Sequence, residues 1–512
     1  MTAYWYRRML WTMKSVVVIG AGFGGISAAA HLAKAGFQVT VVEKNAWVGG
    51  RARLLEREGF RFDMGPSWYW MPDQHDRWFE EFGFDRSSLY QARRVDPSYK
   101  VFFGDSEPGE QQNVVTVPAD FEEACRIFAT YEKDGDVKLR RFVERARRKY
   151  DFAIDHFVYR NYRSIFDMVN STMIKNIPQL NLLRSYRGMI NSSFSHPYLR
   201  KILEFPVVFL GSFARKTPAV YTLMNYIDFG LGTWYPEGGF TSVVQAMQHV
   251  AEKTGVEFRF STPVTGFEFK GGKVSAVKVE SEHGQEEIKA DIVVANADYH
   301  HVDQELLPPE YRSFTPQFWE KRTLAPAVLN YYIGVRRKLP ELAHHTFFFD
   351  TDWDEHFDTV YGNQRWPREP LFYLHIPSAT DPSCAPEGQE AVFALVPVAA
   401  GLQEDPKTRD HYFDIILDRI EKRAGVSLRE DIVFTQTMSH ADFAADYNSY
   451  KGNAFGLGQT LFQTAYFRPA NRSHKVSNLY YSGQYTVPGT GTTMSMISGK
   501  VAADRVIEDM NT

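Results

Sequence analysis

Gly20, Gly22 and Gly25 stand in G-x-G-x-x-G spacing, with Phe23 and Gly24 inside the motif and an acid, Glu43, closing the next apolar run. These residue types at this spacing suit a dinucleotide. Gly20 lets the chain turn sharply, Gly22 leaves its backbone open to a pyrophosphate, and Gly25 lets a helix pack closely on a strand. Glu43, with Lys44 beside it, can accept hydrogen bonds from an adenosine ribose. Taken alone, the motif also fits a glycine-rich turn in some other α/β protein.

The elements that must position these residues are written around them. Ser15 to Ile19 is largely β-branched and apolar, as a buried parallel strand requires. The spacing predicts a helix over Ile26 to Ala35, ended by Gly36, and a second strand over Phe37 to Val42. The helix N-terminus would then face phosphates with unpaired N–H groups and a partial positive charge.

Other chemistry is sparse. No Ser/His/Asp arrangement and no defensible carboxylate pair stands out, so no catalytic side chain is named. His344 and His345 are adjacent, and neighbours on a strand point to opposite faces, so no shared metal is expected there. The two cysteines, Cys125 and Cys384, form no CxxC, which gives neither a thiolate metal site nor a redox dithiol and fits a reducing cytoplasm.

The chain has 512 residues, enough for two or three domains, with a net charge of -4 that argues against a nucleic-acid partner. Aromatic residues make up 15%, which suits either large cores or a cavity for a long apolar ligand. No apolar stretch reaches the length of a membrane-spanning helix. Met13 reads as the working start, with residues 1–12 an upstream extension; an aromatic, basic interfacial anchor is the alternative reading. Arg140 to Lys149 is a strongly basic helix, suited to a solvated face or to anionic lipid. Ile174 to Ile190 is amphipathic, suited to dipping into a bilayer or to packing within a domain.

Further along, Gly49-Gly50-Arg51 follows the second strand, Asp63-Met64-Gly65-Pro66-Ser67 leads into Trp68-Tyr69-Trp70, and Pro236-Glu237-Gly238-Gly239 precedes a helix predicted over Thr241 to Thr254, with Thr241 as N-cap. Val256 to Phe260 and Val274 to Val279 read as strands, and Ile288 to Ala295 as a parallel strand ending at Asn296. Near the C-terminus come Ser482-Gly483-Gln484 and Val487-Pro488-Gly489-Thr490-Gly491-Thr492-Thr493-Met494. Together these segments resemble the bacterial-type phytoene desaturases, FAD-dependent carotenoid desaturases of the amine-oxidase-like superfamily, over essentially Met13 to Asp509. The loops Ser378 to Pro382, Ala385 to Gly388 and Tyr447 to Gly456 are similar to that family too. The chain departs from the family pattern at Thr490, which puts a hydroxyl between two glycines.

The resemblance implies an α/β fold: a Rossmann-like FAD-binding domain (13–90, 226–302, 470–512), a mixed α+β substrate domain (91–130, 303–469) and a helical subdomain (131–225) able to contact a membrane. It implies that FAD is held by Gly20, Gly22, Phe23, Gly24, Gly25, Glu43, Lys44, Gly49, Gly50, Arg51, Gly65, Pro66, Ser67, Val264, Asn296, Gly483, Gly489, Thr490, Gly491, Thr492 and Met494. Arg51 would meet a phosphate, Val264 the adenine edge, and the last helix the flavin pyrimidine. Tyr331 to Gly334 and Thr346 to Phe349 would line the substrate cavity. The activity implied is removal of hydrogen pairs from phytoene, a C40 polyene, toward lycopene, with a quinone or oxygen reoxidising the flavin. The protein would be cytoplasmic, peripheral to the inner face of the cell membrane. Rival readings are a desaturase of another carotenoid, another FAD oxidoreductase such as an amine or protoporphyrinogen oxidase, and a non-enzymatic isoprenoid-binding relative.

Overall fold

In the computed structural model, the residues described are 14–104, 113–168, 180–181 and 184–511. The extension 1–12 and, of the amphipathic stretch 174–190, residues 174–179 and 182–183 lie outside them. Within that stretch, Tyr186–Asn191 is a short helix, with Ser185 accepting the Gly188 N–H as its cap.

A five-stranded parallel sheet carries the nucleotide motif. Its strand order is Leu479–Tyr481, Ile292–Ala295, Ser15–Ile19, Gln38–Val42, Glu257–Arg259. The first strand of the chain is therefore central, with its successors built outward on both sides, and the two ends of the chain share one sheet. Alternation decides which face each residue serves. Val16 and Val18 pack under the helices, while Val17 and Ile19 face the core of Tyr299, Trp319 and Tyr481. Leu307 and Trp319 also join that second core, so residues just past 303 pack on the parallel sheet rather than on the cavity sheet.

Several elements differ from the sequence reading. The nucleotide helix spans Phe23–Lys34, beginning three residues before the expected start and placing Gly24 and Gly25 in its first turn. Strands at Gln38–Val42, Glu257–Arg259 and Lys273–Ser281 shift by one to two residues from their expected ends. Ile288 does not begin the returning strand. It belongs to Gly284–Lys289, which pairs antiparallel with Lys273–Ser281, and the parallel strand is Ile292–Ala295 alone. The helix expected from Thr241 begins at Phe240, and Thr241 does not cap it: its Oγ1 is buried without a partner, and the carboxylate of Asp63 takes the Phe240 N–H instead.

The second layer is a seven-stranded mixed sheet. Its order is Ile432–Met438, Ala327–Val335, Glu390–Val398, Phe372–His375, His345–Phe349, Tyr99–Phe103, Val114–Val117. One face packs Tyr331, Ile333 and Val396 on the helix Thr408–Ala424. The other presents Val328, Phe347 and Tyr373 to the interior. Opposite them lie the long helix Gly135–Ala153 and the turns Phe205–Leu210 and Ala219–Leu223. Half of the basic run on that long helix is ion-paired at the surface: Arg140 meets Glu122, while Arg147 and Arg148 meet Glu144. Lys149 instead turns inward and donates to Ala219 O and Thr222 Oγ1, both at 2.9 Å. Among the described residues, no helix is long and apolar enough to cross a membrane.

Candidate functional site

One continuous cavity of about 630 Å³ runs from the C-terminal edge of the parallel sheet to the inner face of the mixed sheet. Its nucleotide end is built by the first turn of the Phe23–Lys34 helix. That helix is capped by Gly22 with no side-chain acceptor and has no acid in its first turn, so its leading N–H groups stay available to an anion. The absent Cβ at Gly25 is obligatory, because an added carbon would lie 1.9 Å from the Gly20 carbonyl oxygen. At Gly499 an added carbon would lie 2.2 Å from Gly24 O. The last helix, Thr492–Asn511, thus packs backbone to backbone on the first, and the two ends of the polypeptide meet there.

Glu43 is fixed before any ligand arrives. Its Oε2 accepts from Ala21 N at 2.8 Å, and its Oε1 from Asn45 N and Nδ2 at 2.9 and 3.0 Å. Lys44 donates to Ala445 O, and desolvation draws its pKa below the ordinary lysine value. Arg51 donates from Nη2 to Ser449 Oγ at 3.2 Å and lies over the Tyr447 ring at 5.3 Å. Beside it Asp298 is buried, and that burial raises its pKa, opposed by the Arg51 charge.

The sequence-named residues converge closely. Gly20, Gly22, Phe23, Gly24, Glu43, Lys44, Gly49, Gly50 and Arg51 line the cavity. So do Gly65, Pro66, Ser67, Val264, Asn296, Gly483, Thr490, Gly491, Thr492 and Met494. Gly25 and Gly489 sit behind the lining: Gly25 packs helix on strand, and a Cβ on Gly489 would strike Gln459 Nε2 at 2.0 Å. Asn296 donates from Nδ2 to Ser482 Oγ at 3.1 Å, joining the ends of two parallel strands. The Thr490 hydroxyl donates to Phe455 O at 2.9 Å, so it ties the loop down.

Beyond Ser67 the lining turns apolar. Trp68 and Trp70 contribute to it, with Tyr69 directed instead onto His75 and Tyr90. Phe347 and Phe349 line it as expected, whereas Tyr331 and Tyr332 do not. Tyr332 donates to Met64 O, and Tyr331 reaches Arg409 O behind the sheet. Three tyrosine hydroxyls of the wall are already occupied, since Tyr150 donates to Asp73, Tyr162 to Phe157 O, and Tyr373 to Ser67, whereas the Tyr447 hydroxyl is buried without a partner. Leu461 and Phe467, both exposed, belong to the lining, so the cavity reaches the surface beside them.

Sequence reasoning missed the wall formed by Phe205, Val208 and Phe209, which lie on a 3-10 turn without helical or strand periodicity. It also missed Arg468, fully enclosed, which donates to the carbonyls of Gln463, Tyr485 and Thr486 and joins the surface loop to the Gly483–Thr490 segment. Finally, the face argument separating His344 from His345 does not hold. His344 precedes the strand His345–Phe349, and together with His375 the two bring one ligand nitrogen each to within 4.8 Å of one another.

An uncapped helix N-terminus, a pre-ordered carboxylate at Glu43 and an arginine along one groove fit FAD. The second helix N-terminus, at Thr492, fits its flavin end.

Comparison with known proteins agrees. The family model for flavin containing amine oxidoreductase matches residues 23–507. A carotenoid 3,4-desaturase of Haloarcula japonica is 40% identical over 97% of this chain and 99% of its own length. A zeta-carotene-forming phytoene desaturase of Myxococcus xanthus is 33% identical over 96% and 94%. A 4,4'-diapolycopene oxygenase of Methylomonas is 30% identical over 97% and 98%. Among solved structures, a Methanosarcina mazei oxidoreductase has a TM-score of 0.61 at 17% identity, over 96% of this chain and 100% of that one. A putrescine oxidase variant has a TM-score of 0.59 at 15% identity, over 97% and 99%. At such identity these two show the shared fold.

Proposed function

This chain belongs to the flavin-containing amine oxidoreductases, as an FAD-dependent oxidoreductase of the carotenoid desaturase group, and we propose that it dehydrogenates a C40 polyene at its 3,4 position. The observation that carries this is the cavity, in which a nucleotide groove opens directly into an aromatic, water-excluding channel. The 40% identity to a 3,4-desaturase favours that position. The phytoene-to-lycopene series expected from the sequence is the second reading, favoured by the 33% relative named for phytoene.

FAD, when bound, supplies a two-electron acceptor for an allylic C–H bond. The protein's own part is positioning and exclusion. The N–H groups at Gly22 to Gly24 hold the diphosphate, Arg51 adds a charge-assisted contact, and Glu43 holds the ribose. Thr492 and Met494 place a helix N-terminus where negative charge collects. Trp68, Phe209, Phe347 and Phe349 hold a straight apolar chain and exclude water. With the hydroxyls of Tyr150, Tyr162 and Tyr373 internally bonded, these three offer no free donor to a hydrocarbon.

The substrate is insoluble in water, and the surface beside the cavity suits its delivery from a bilayer. Phe166 is 79% exposed and Phe462 70%, with Ile165, Leu461, Tyr466 and Phe467 also exposed. We place the protein on the membrane surface through these residues, with a quinone as the lipid-phase electron acceptor and oxygen as the alternative.

The deciding experiment supplies purified, FAD-loaded protein with vesicles containing either lycopene or phytoene, anaerobically, with added quinone. A red-shifted product from lycopene and none from phytoene supports 3,4-desaturation. Conversion of phytoene alone favours the second reading, and inertness toward both rejects a carotenoid substrate.

A further inference from the structure

We propose that His344, His345 and His375 hold one transition-metal ion of the zinc class in the wall behind the cavity. The three side chains are fully enclosed and offer one nitrogen each within 4.8 Å of one another. His344 Nε2 and His375 Nε2 are 3.1 Å apart. Nitrogens bound to one tetrahedral zinc at about 2.0–2.1 Å lie about 3.3 Å apart. That pair, now joined by one hydrogen bond, is spaced close to two ligands of one ion, and His345 supplies the third nitrogen.

The hydrogen bonds around the cluster set the ring tautomers. Tyr373 donates its hydroxyl proton to Ser67 Oγ at 3.1 Å, so its oxygen receives the His345 Nδ1–H, at 2.6 Å. This leaves His345 Nε2 as a bare lone pair, buried and without a hydrogen-bond partner. An unpartnered acceptor in a dry interior is costly, and a cation satisfies it. His344 Nδ1 is likewise engaged by the Thr380 hydroxyl at 2.7 Å, directing its Nε2 toward His375. Outer hydroxyls engage the remote nitrogens of His344 and His345, as they do for ligating imidazoles, while the Nε2 atoms of His344 and His375 share one hydrogen bond whose proton a metal would displace.

Burial favours the neutral rings that bind metal, and holds His344 down to about 3. An all-imidazole set suits zinc, copper, iron or nickel over calcium or magnesium. With three imidazoles and no acid or thiolate, the set matches the three-histidine zinc pattern that keeps a water in its open fourth position, and zinc is the assignment. It would join the strands His345–Phe349 and Phe372–His375 to the turn carrying Thr380. Trp68 stacks on His345 at 3.9 Å, so the ion would also stiffen the cavity wall.

The test is the metal content of the full-length, FAD-loaded protein expressed with added Zn²⁺, by inductively coupled plasma mass spectrometry. About one zinc per chain is expected, falling at least tenfold in His345→Ala and in His375→Ala at unchanged flavin content. Should those variants not fold, wild-type protein expressed with Co²⁺ in zinc-depleted medium carries the test, with the visible ligand-field bands of tetrahedral cobalt expected. Wild-type protein free of stoichiometric metal in both preparations overturns the proposal. So does zinc that persists in folded variants, and so does cobalt uptake without those bands.

Discussion

The carboxylate of Asp63 sits on the backbone N–H of Phe240, 177 residues downstream, at 2.8 and 3.0 Å. One acid thereby ties the segment entering the flavin loop to the helix that covers the parallel sheet, in the place an N-cap side chain would take. Burial pushes this carboxyl up to about 7.

The first prediction concerns pH. In the unfolded chain Asp63 ionises near the ordinary carboxylate value, and in the folded chain only near 7. The folded state therefore holds the extra proton in between, and stability declines as pH rises through that window. Asp63→Asn, which still offers an acceptor, should flatten the decline. Thermal midpoints near pH 5 and pH 8 check this, with a wild-type drop a few degrees larger than the variant's. Asp63→Ala, which loses the cap, should cost about 1–2 kcal/mol at either pH.

Glu43→Ala removes the ordered ribose acceptor and frees the Ala21 N–H. A hydrogen bond to a charged group contributes about 1.5–3 kcal/mol, so FAD affinity should fall roughly 10- to 100-fold with the fold intact. Flavin fluorescence titration of the apoprotein measures it.

Much of this site was legible in the residues themselves. The glycine spacing with Glu43, the Gly49-Gly50-Arg51 turn and the Thr490 to Met494 tail are local patterns whose chemistry depends on backbone shape, and the fold gathers them along one cavity. Thr241 misled because a hydroxyl before an apolar run is an ordinary N-cap signal, while the actual cap came from a residue far away in the chain. His344 and His345 misled for a similar reason. Opposite faces follow only if both residues lie on the strand, and His344 lies before it. Phe205 and Phe209 gave no period to detect, since a short 3-10 turn has little of its own.

Gly25→Ala should abolish flavin retention, because the added carbon meets a backbone oxygen that cannot move without opening the strand–helix turn. The expected product is colourless or insoluble protein, and absorbance of the purified material decides it.

Lys149 supplies an opposite pH signature. Desolvation lowers its pKa to about 8. The unfolded chain binds the proton more tightly, so stability should rise with pH from about 8 toward the ordinary lysine value. Lys149→Met should remove that rise while retaining the packing of the stem. Urea unfolding near pH 8 and near pH 10 separates the two, and equal slopes with pH for both proteins would count against it.

Replacing Phe166 and Phe462 together with serine should weaken vesicle binding at least tenfold, since each buried phenyl contributes about 1.5–3 kcal/mol. Flotation with neutral liposomes reads this directly, and turnover on detergent-dispersed substrate should be spared.

The groove for the nucleotide and the channel for the hydrocarbon share one lumen, so a loaded cofactor occupies one end of it. A rod-shaped guest entering past Leu461 and Phe467 would come in tip first, one end ahead of the other. A molecule with matching halves has to back out, reverse and thread again before its other half is treated. Products changed on one side only should therefore accumulate early in a time course and disappear late.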